Sequence, residues 1–206
     1  MPGRFSLNLS PKILMENFGL EDPIPAVDPW LGNDIRPSQT VAVIAASKGK
    51  AHLGGVRWGF IPKWATPEKH SKIFGSPLIN ARDDSLEEKA SWKDAFKKRR
   101  CIVPASWYYE WKENEVGQKI KYKIAPTNLP FFAFAALWEA NQGQSGCATI
   151  TVEPNDKIRE IHHRMGAILT PDQFGVWLHT PPDEATSLLS MLKPLPDDEC
   201  QIIEDN

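Results

Sequence analysis

Between residues 101 and 153 the chain offers four strand-like runs, CIVPASWYYEWK, KYKIA, FFAFAALWE and CATITVE, with no helical segment between them. Their β-branched and aromatic residues suit a pleated, half-buried surface. Strands joined this directly pair antiparallel, because a parallel pair needs a crossover of a dozen or more residues. Two further strand runs precede them, VAVIAA at 41–46 and HLGGVRWGF at 52–60, the second weakened by its glycines.

Helical segments are short and unevenly placed. SPKILMENFG has Ser10 as N-cap, Pro11 at the first position and Gly19 as the stop. SLEEKASWKDAFKKRR carries two capping-box-like starts, Ser85 with Glu88 and Ser91 with Asp94, and reads as two short helices. PNDKIREIHH enters a helix through Asn155, and TPDQFGVWL enters one with Thr170 and Gln173 as cap partners. PPDEATSLLSMLK reads as an amphipathic helix. This uneven mixture predicts an α+β fold: a curved, mostly antiparallel, barrel-like sheet with peripheral helices, in one domain over 1–206.

Composition narrows the class of partner. The 206 residues are 41% hydrophobic and 24% charged, as in an ordinary globular chain. No stretch approaches the ~20 apolar residues that span a membrane, and no basic-then-apolar leader opens the chain, so a cytoplasmic protein is expected. The net charge of −2 conceals an acidic C-terminal segment, about 181–206, with seven acids against Lys193. The mildly basic remainder permits a polyanion partner in a local groove. Cys101, Cys147 and Cys200 are odd in number and widely spaced, which suggests neither a disulfide framework nor a thiol-rich metal site.

Five features can carry chemistry, each with a plain structural alternative. The opening MPGRF would leave the secondary amine of Pro2 if Met1 were removed; a free α-amine has a pKa of ~8 and attacks aldehydes. The alternative is a frayed end. In LINARDDS, Asn80 and Arg82 point the same way on an extended chain, as a polar pair for phosphate or as a surface turn. In ASWYYEWK, Trp107, Tyr109 and Trp111 share one strand face, and Tyr108 and Glu110 the other. Glu110 is then either desolvated among aromatics, as suits a general acid, or exposed behind a core-facing aromatic stripe. In EIHHRMGAIL, His162 and His163 are proton carriers or helix caps; a metal site would need more ligands. Finally, Trp58, Phe60 and Trp64 interleave with Arg57 and Lys63, which suits base stacking beside phosphates, or the core. Lys97, Lys98, Arg99 and Arg100 form a basic run that a solvated helix end also explains.

In their order, RWGFIPKWA, INAR, AFKKRRCIVPASWYYEWK and IHHRM, with GRF at the start and IRPSQTVAVI, resemble the SOS-response-associated peptidase (SRAP) family of abasic-site processing proteins. The resemblance runs from position 2 to about 178. It implies an α+β fold whose N-terminus lies in a positively charged groove for single-stranded DNA. Family members close a thiazolidine on the abasic-site aldehyde through an N-terminal cysteine, and remove residues preceding it. By resemblance Asn80 positions the terminal amine and opened sugar, and Arg4 and Arg82 contact phosphates. Glu110 assists ring opening, crosslink reversal and N-terminal processing, and His162 shuttles protons. Trp58, Trp64 and Trp111 correspond to base-stacking and wedge surfaces.

The chain departs from that pattern at Pro2, which stands where the family has cysteine, and at His163 and Gly166, where it usually has Asp and Pro. Two functions follow. One is an abasic-site processing protein whose Pro2 amine forms a Schiff base, inviting β-elimination of the 3′ phosphate. The other is a non-covalent binder of single-stranded DNA that lost its cysteine, naturally or through an altered position 2. The expected partner is single-stranded DNA containing abasic sites, with no metal, cofactor or membrane; a monomer, nucleoid-associated when acting on DNA, is expected.

Overall fold

The computed structural model describes residues 2–20 and 31–205. In chain order the elements are β1 (Arg4–Leu7), α1 (Pro11–Phe18), β2 (Gly32–Ile35), β3 (Thr40–Ser47), β4 (Lys50–Trp58), α2 (Pro67–Gly75), β5 (Asn80–Arg82), α3 (Lys93–Lys98) and β6 (Arg100–Ala105). There follow β7 (Trp107–Glu113), β8 (Lys119–Pro126), β9 (Phe132–Asn141), β10 (Gln144–Val152), α4 (Asp156–Arg159), β11 (Met165–Gly166), α5 (Gln173–His179) and β12 (Cys200–Glu204). The α+β class is as the sequence predicts, with the strands divided between a closed barrel and a second sheet.

The barrel closes because β10 pairs with β4 on one edge and β9 on the other, while β3 and β6 complete the ring. Val41, Ile44, Ile102, Phe134, Leu137 and Ile150 from these strands are buried in the core. The second sheet, in the order β12-β8-β7-β1-β2, is antiparallel throughout. Its inner face contributes Phe5, Leu7, Tyr108 and Ile124 to the same core. The run CIVPASWYYEWK, one strand by its composition, serves both sheets: it leaves the barrel as β6 and enters the second sheet as β7. The bend is Ser106, whose N–H donates to the Ser6 carbonyl at 2.7 Å and whose hydroxyl accepts from the Asn8 N–H at 2.8 Å.

Local cues placed several helices correctly. Ser10 caps α1 by accepting from the Ile13 N–H, and Gly19 ends it at φ 59°, the left-handed conformation glycine adopts without strain. Asn155 caps α4 by accepting from the Ile158 N–H at 2.9 Å. Two expected helices differ. Within 85–100 only α3 is α-helical, and residues 86–92 form turns instead. Leu86 and Trp92 are both buried, yet six residues apart an α-helix would turn them away from each other. The amphipathic segment of 181–193 is a 3₁₀-helix over Ala185–Met191, a spacing that stacks the buried Ala185 and Leu188 above one another.

Gly146 marks the closest approach within the barrel: a Cβ there would stand 2.1 Å from the Gly59 carbonyl oxygen, while the Gly59 N–H bonds the Cys147 carbonyl at 2.9 Å. Gly146→Ala must part these strands, and is expected to destabilise by about 1–3 kcal/mol. A lowered urea midpoint at unchanged m-value is the readout; an unchanged midpoint would show that the contact yields freely.

Candidate active site at the amino terminus

β1 is an interior strand, paired with β7 through Arg4 opposite Tyr109 and with β2 through Phe5 opposite Ile35. Phe5 and Leu7 are buried, so β1 is anchored in the sheet. Pro2, just before the strand, is itself buried.

Asn80 reaches Pro2 from the barrel. Its Nδ2 donates to the Pro2 carbonyl at 3.0 Å, and its Oδ1 accepts from the Thr149 hydroxyl at 2.5 Å. With both ends of the amide engaged, its orientation is set. The placement follows from the parallel pairing of β5 with β10, which sets Asn80 opposite Thr149 and Arg82 opposite Thr151. Thr149 was not among the residues read from the sequence. The available signal was its polarity, alternating with Thr151 inside the apolar run CATITVE.

The alternation of ASWYYEWK holds, and it is the Tyr108/Glu110 face that turns inward. Tyr108 packs between Phe132 and Phe134, and Glu110 is 4% exposed. Burial pushes the Glu110 carboxyl above its ordinary value, while the positive amino terminus of the chain opposes that shift by charge and hydrogen bonding.

His162 follows α4. Its Nδ1 lies 3.0 Å from the Arg164 N and 3.1 Å from the Arg164 carbonyl oxygen, so the loop orients the ring. It stacks on His163 at 4.3 Å between centroids. Burial first, and then the positive amino terminus, lower its pKa to about 4, so it is neutral at pH 7. The loop is clamped by Arg164, 3% exposed, which donates to Asp83, to the Thr151 carbonyl and, at 3.1 Å, to Glu153. Gly166 suits this loop, since a Cβ there would stand 2.3 Å from Phe134 Cε1.

The remaining candidates divide. Arg4 donates to Asp34 at 2.6 Å and lies 5.2 Å over the Trp111 ring. The hydrogen bond from Arg4, helped by Arg36, holds the Asp34 carboxyl down to about 2. Arg82 is exposed and donates to both carboxylate oxygens of Asp84, from Nε and Nη2. Trp64 is 45% exposed, edge-on to His70. Trp58 corrects the expectation of a stacking surface: it is 1% exposed, packs edge-on against Phe5, and donates its indole N–H to the Ile79 carbonyl at 3.0 Å. A core ring offers no face to a base. Arg100 likewise leaves the basic run, buried and donating to the carbonyls of Phe96, Lys97, Trp177 and Thr180. All three cysteines are buried. Among the described residues no group of three or more His, Cys, Asp or Glu is placed to hold a metal, and no helix is long and apolar enough to cross a membrane.

The family model for SOS response associated peptidase (SRAP) matches residues 1–204. Abasic site processing protein YoqW of Bacillus subtilis is 34% identical over 206 residues, covering 98% of this chain and 90% of its own. YoaM of the same organism, also named an abasic site processing protein, is 36% identical over 197 residues, covering 92% and 85%. The chicken protein HMCES is 28% identical over 172 residues, a match spanning 51% of that longer chain. A crystal structure from Bacteroides thetaiotaomicron superposes with a TM-score of 0.87 at 25% identity, covering 98% of this chain and 91% of that one.

The lowered His162 pKa has a consequence for stability. Between pH 6.5, its ordinary value, and about 4, the unfolded chain binds a proton that the folded chain refuses. Stability should therefore rise with pH through that window and level above it. Urea midpoints across the window should show the rise, and His162→Gln should flatten it; equal slopes would place the titration elsewhere.

Proposed function

The chain belongs to the SOS response associated peptidase family, and from that premise we propose that it processes abasic sites in single-stranded DNA through the amine of Pro2. The observation that carries this reading is the hydrogen bond from Asn80 to the Pro2 carbonyl, which holds the second residue against the barrel, and the charge of the chain's amino terminus acts on both Glu110 and His162. Removal of Met1 would free the secondary amine.

Neutral His162 accepts a proton from the Pro2 ammonium, leaving the nitrogen lone pair to attack C1′ of the ring-opened sugar. The carbinolamine loses its hydroxyl as water, with Glu110 supplying the proton, and an iminium remains. Burial raises the Glu110 carboxyl, which suits it to give up a proton, and lowers the His162 imidazole, which leaves it neutral. The iminium acidifies the 2′ carbon; loss of that proton expels the 3′ phosphate by β-elimination. Without a thiol at position 2, no thiazolidine can form to arrest this sequence. Arg82 and Arg4 supply phosphate contacts once DNA displaces their carboxylate partners, and Trp64 and Trp111 supply ring faces for bases.

Borohydride reduces an iminium to a stable amine, so protein verified by intact mass to begin at Pro2 should be trapped on abasic single-stranded DNA. Protein retaining Met1, whose Pro2 nitrogen is an amide, should not form this adduct. Glu110→Gln should slow trapping by about 100-fold, the scale of a lost general acid. Absence of a trapped species from Pro2-terminal protein that still binds the DNA would leave a non-covalent binder instead.

A further inference from the structure

Three alternate residues of β7, Trp107, Tyr109 and Trp111, are aromatic, and each ring carries a cation from a neighbouring strand. Lys123 Nζ lies 3.8 Å over Trp107, Lys121 Nζ 4.0 Å over Tyr109, and the Arg4 guanidinium 5.2 Å over Trp111. The register explains the order. Lys123 pairs with Tyr109 and Lys121 with Trp111, so each lysine leans diagonally onto the preceding ring. The Trp107 indole N–H donates to the Tyr109 hydroxyl at 2.8 Å, which fixes the first two rings against each other. This row lies on the face of β7 opposite Glu110, outside the reacting site.

A lysine bound to an anion must surrender its side-chain freedom, and a ring beneath the ammonium removes much of that freedom in advance. The ring occupies one side of the ammonium, whose remaining N–H groups can donate to an anion. Lys121 already donates to Asp205 at 2.5 Å, while Lys123 has no carboxylate partner among the described residues. Alternate residues of a strand are ~6.6 Å apart, close to the repeat of phosphates along an extended single strand. A line of oriented cations at that interval matches a linear polyanion better than a single charged group.

We propose that this ridge is a second nucleic-acid contact surface, tracking phosphates of the single strand that leads to the Pro2 site. It rests on the proposed function for the identity of the polyanion and adds Lys121, Lys123 and Trp107 to the surface that binds it. Asp205, near the end of the acidic segment, holds Lys121 until a phosphate replaces it.

The test compares the full chain with a Lys121→Gln/Lys123→Gln variant, by fluorescence anisotropy, on a long and a short single-stranded oligonucleotide. The short one spans only an abasic nucleotide and its immediate neighbours. The double variant should bind the long strand several-fold more weakly, with a log–log salt slope shallower by about 1.4, from ~0.7 per lost single-strand phosphate contact. Its binding to the short strand should be unchanged. Trp107→Leu, which keeps both charges, should weaken long-strand binding with the salt slope retained. Unchanged long-strand affinity and slope in the double variant would overturn the ridge while leaving the proposed function standing. A wild type that binds neither oligonucleotide would overturn both, and one that prefers anionic lipid vesicles to the long strand would overturn the nucleic-acid assignment.

Discussion

β10 pairs with β4 through Gly146 and Cys147, then with β5 through Thr149, Ile150 and Thr151. On its other edge it pairs with β9 up to Thr149 and with β11 from Thr151. A strand has two hydrogen-bonding edges, so exchanging partners on both opens the barrel wall at that level. The opening brings Asn80 in on one side and the His162–Gly166 loop on the other. Close approach makes the exchange possible: Gly146 leaves room for the 59–60 backbone, and Gly166 for the ring of Phe134. The second sheet then brings Pro2 and Glu110 to the same place, because β1 is held between β7 and β2.

Burial and charge act in opposition at Glu110 and in concert at His162. Desolvation raises the carboxyl and lowers the imidazole, and the positive amino terminus lowers both. A carboxyl raised by burial and an imidazole held neutral at pH 7 both respond to the charge of the amino terminus. The arginines around the site are held in ion pairs with Asp34, Asp84 and Asp83. Those at Arg4 and Arg82 are partly exposed, so each ion pair is worth little. Arg164 is different, since a buried guanidinium with three acceptors is committed to holding the loop.

Much of this was legible where the signal was local. The caps at Ser10 and Asn155, the stop at Gly19 and the two-residue period of WYYEW all act through neighbours in sequence, and all appear as expected. Readings failed where burial from a distance decided. The 85–100 segment has good capping chemistry, but Leu86 and Trp92 must both enter the core. Trp58 has the composition of a stacking surface, yet its indole N–H finds a carbonyl on the far side of α2, and the ring is enclosed. Thr149 and Asp34 carried no motif of their own, and Arg164 lay within IHHRM with no role read for it; each matters through a partner tens of residues away.

The amino-acid sequence by itself determined the α+β class, the strand periods, the inward placement open to Glu110, and a proline, with no thiol, at position 2. Those properties depend on side-chain chemistry and on periodicities that a short stretch displays. Tertiary structure alone decided which face of β7 is buried, where one strand run divides between two sheets, and that Asn80 meets Pro2 across 78 residues. Such choices depend on which distant surfaces can be covered together while every buried backbone group keeps a partner. No window of the chain contains that information.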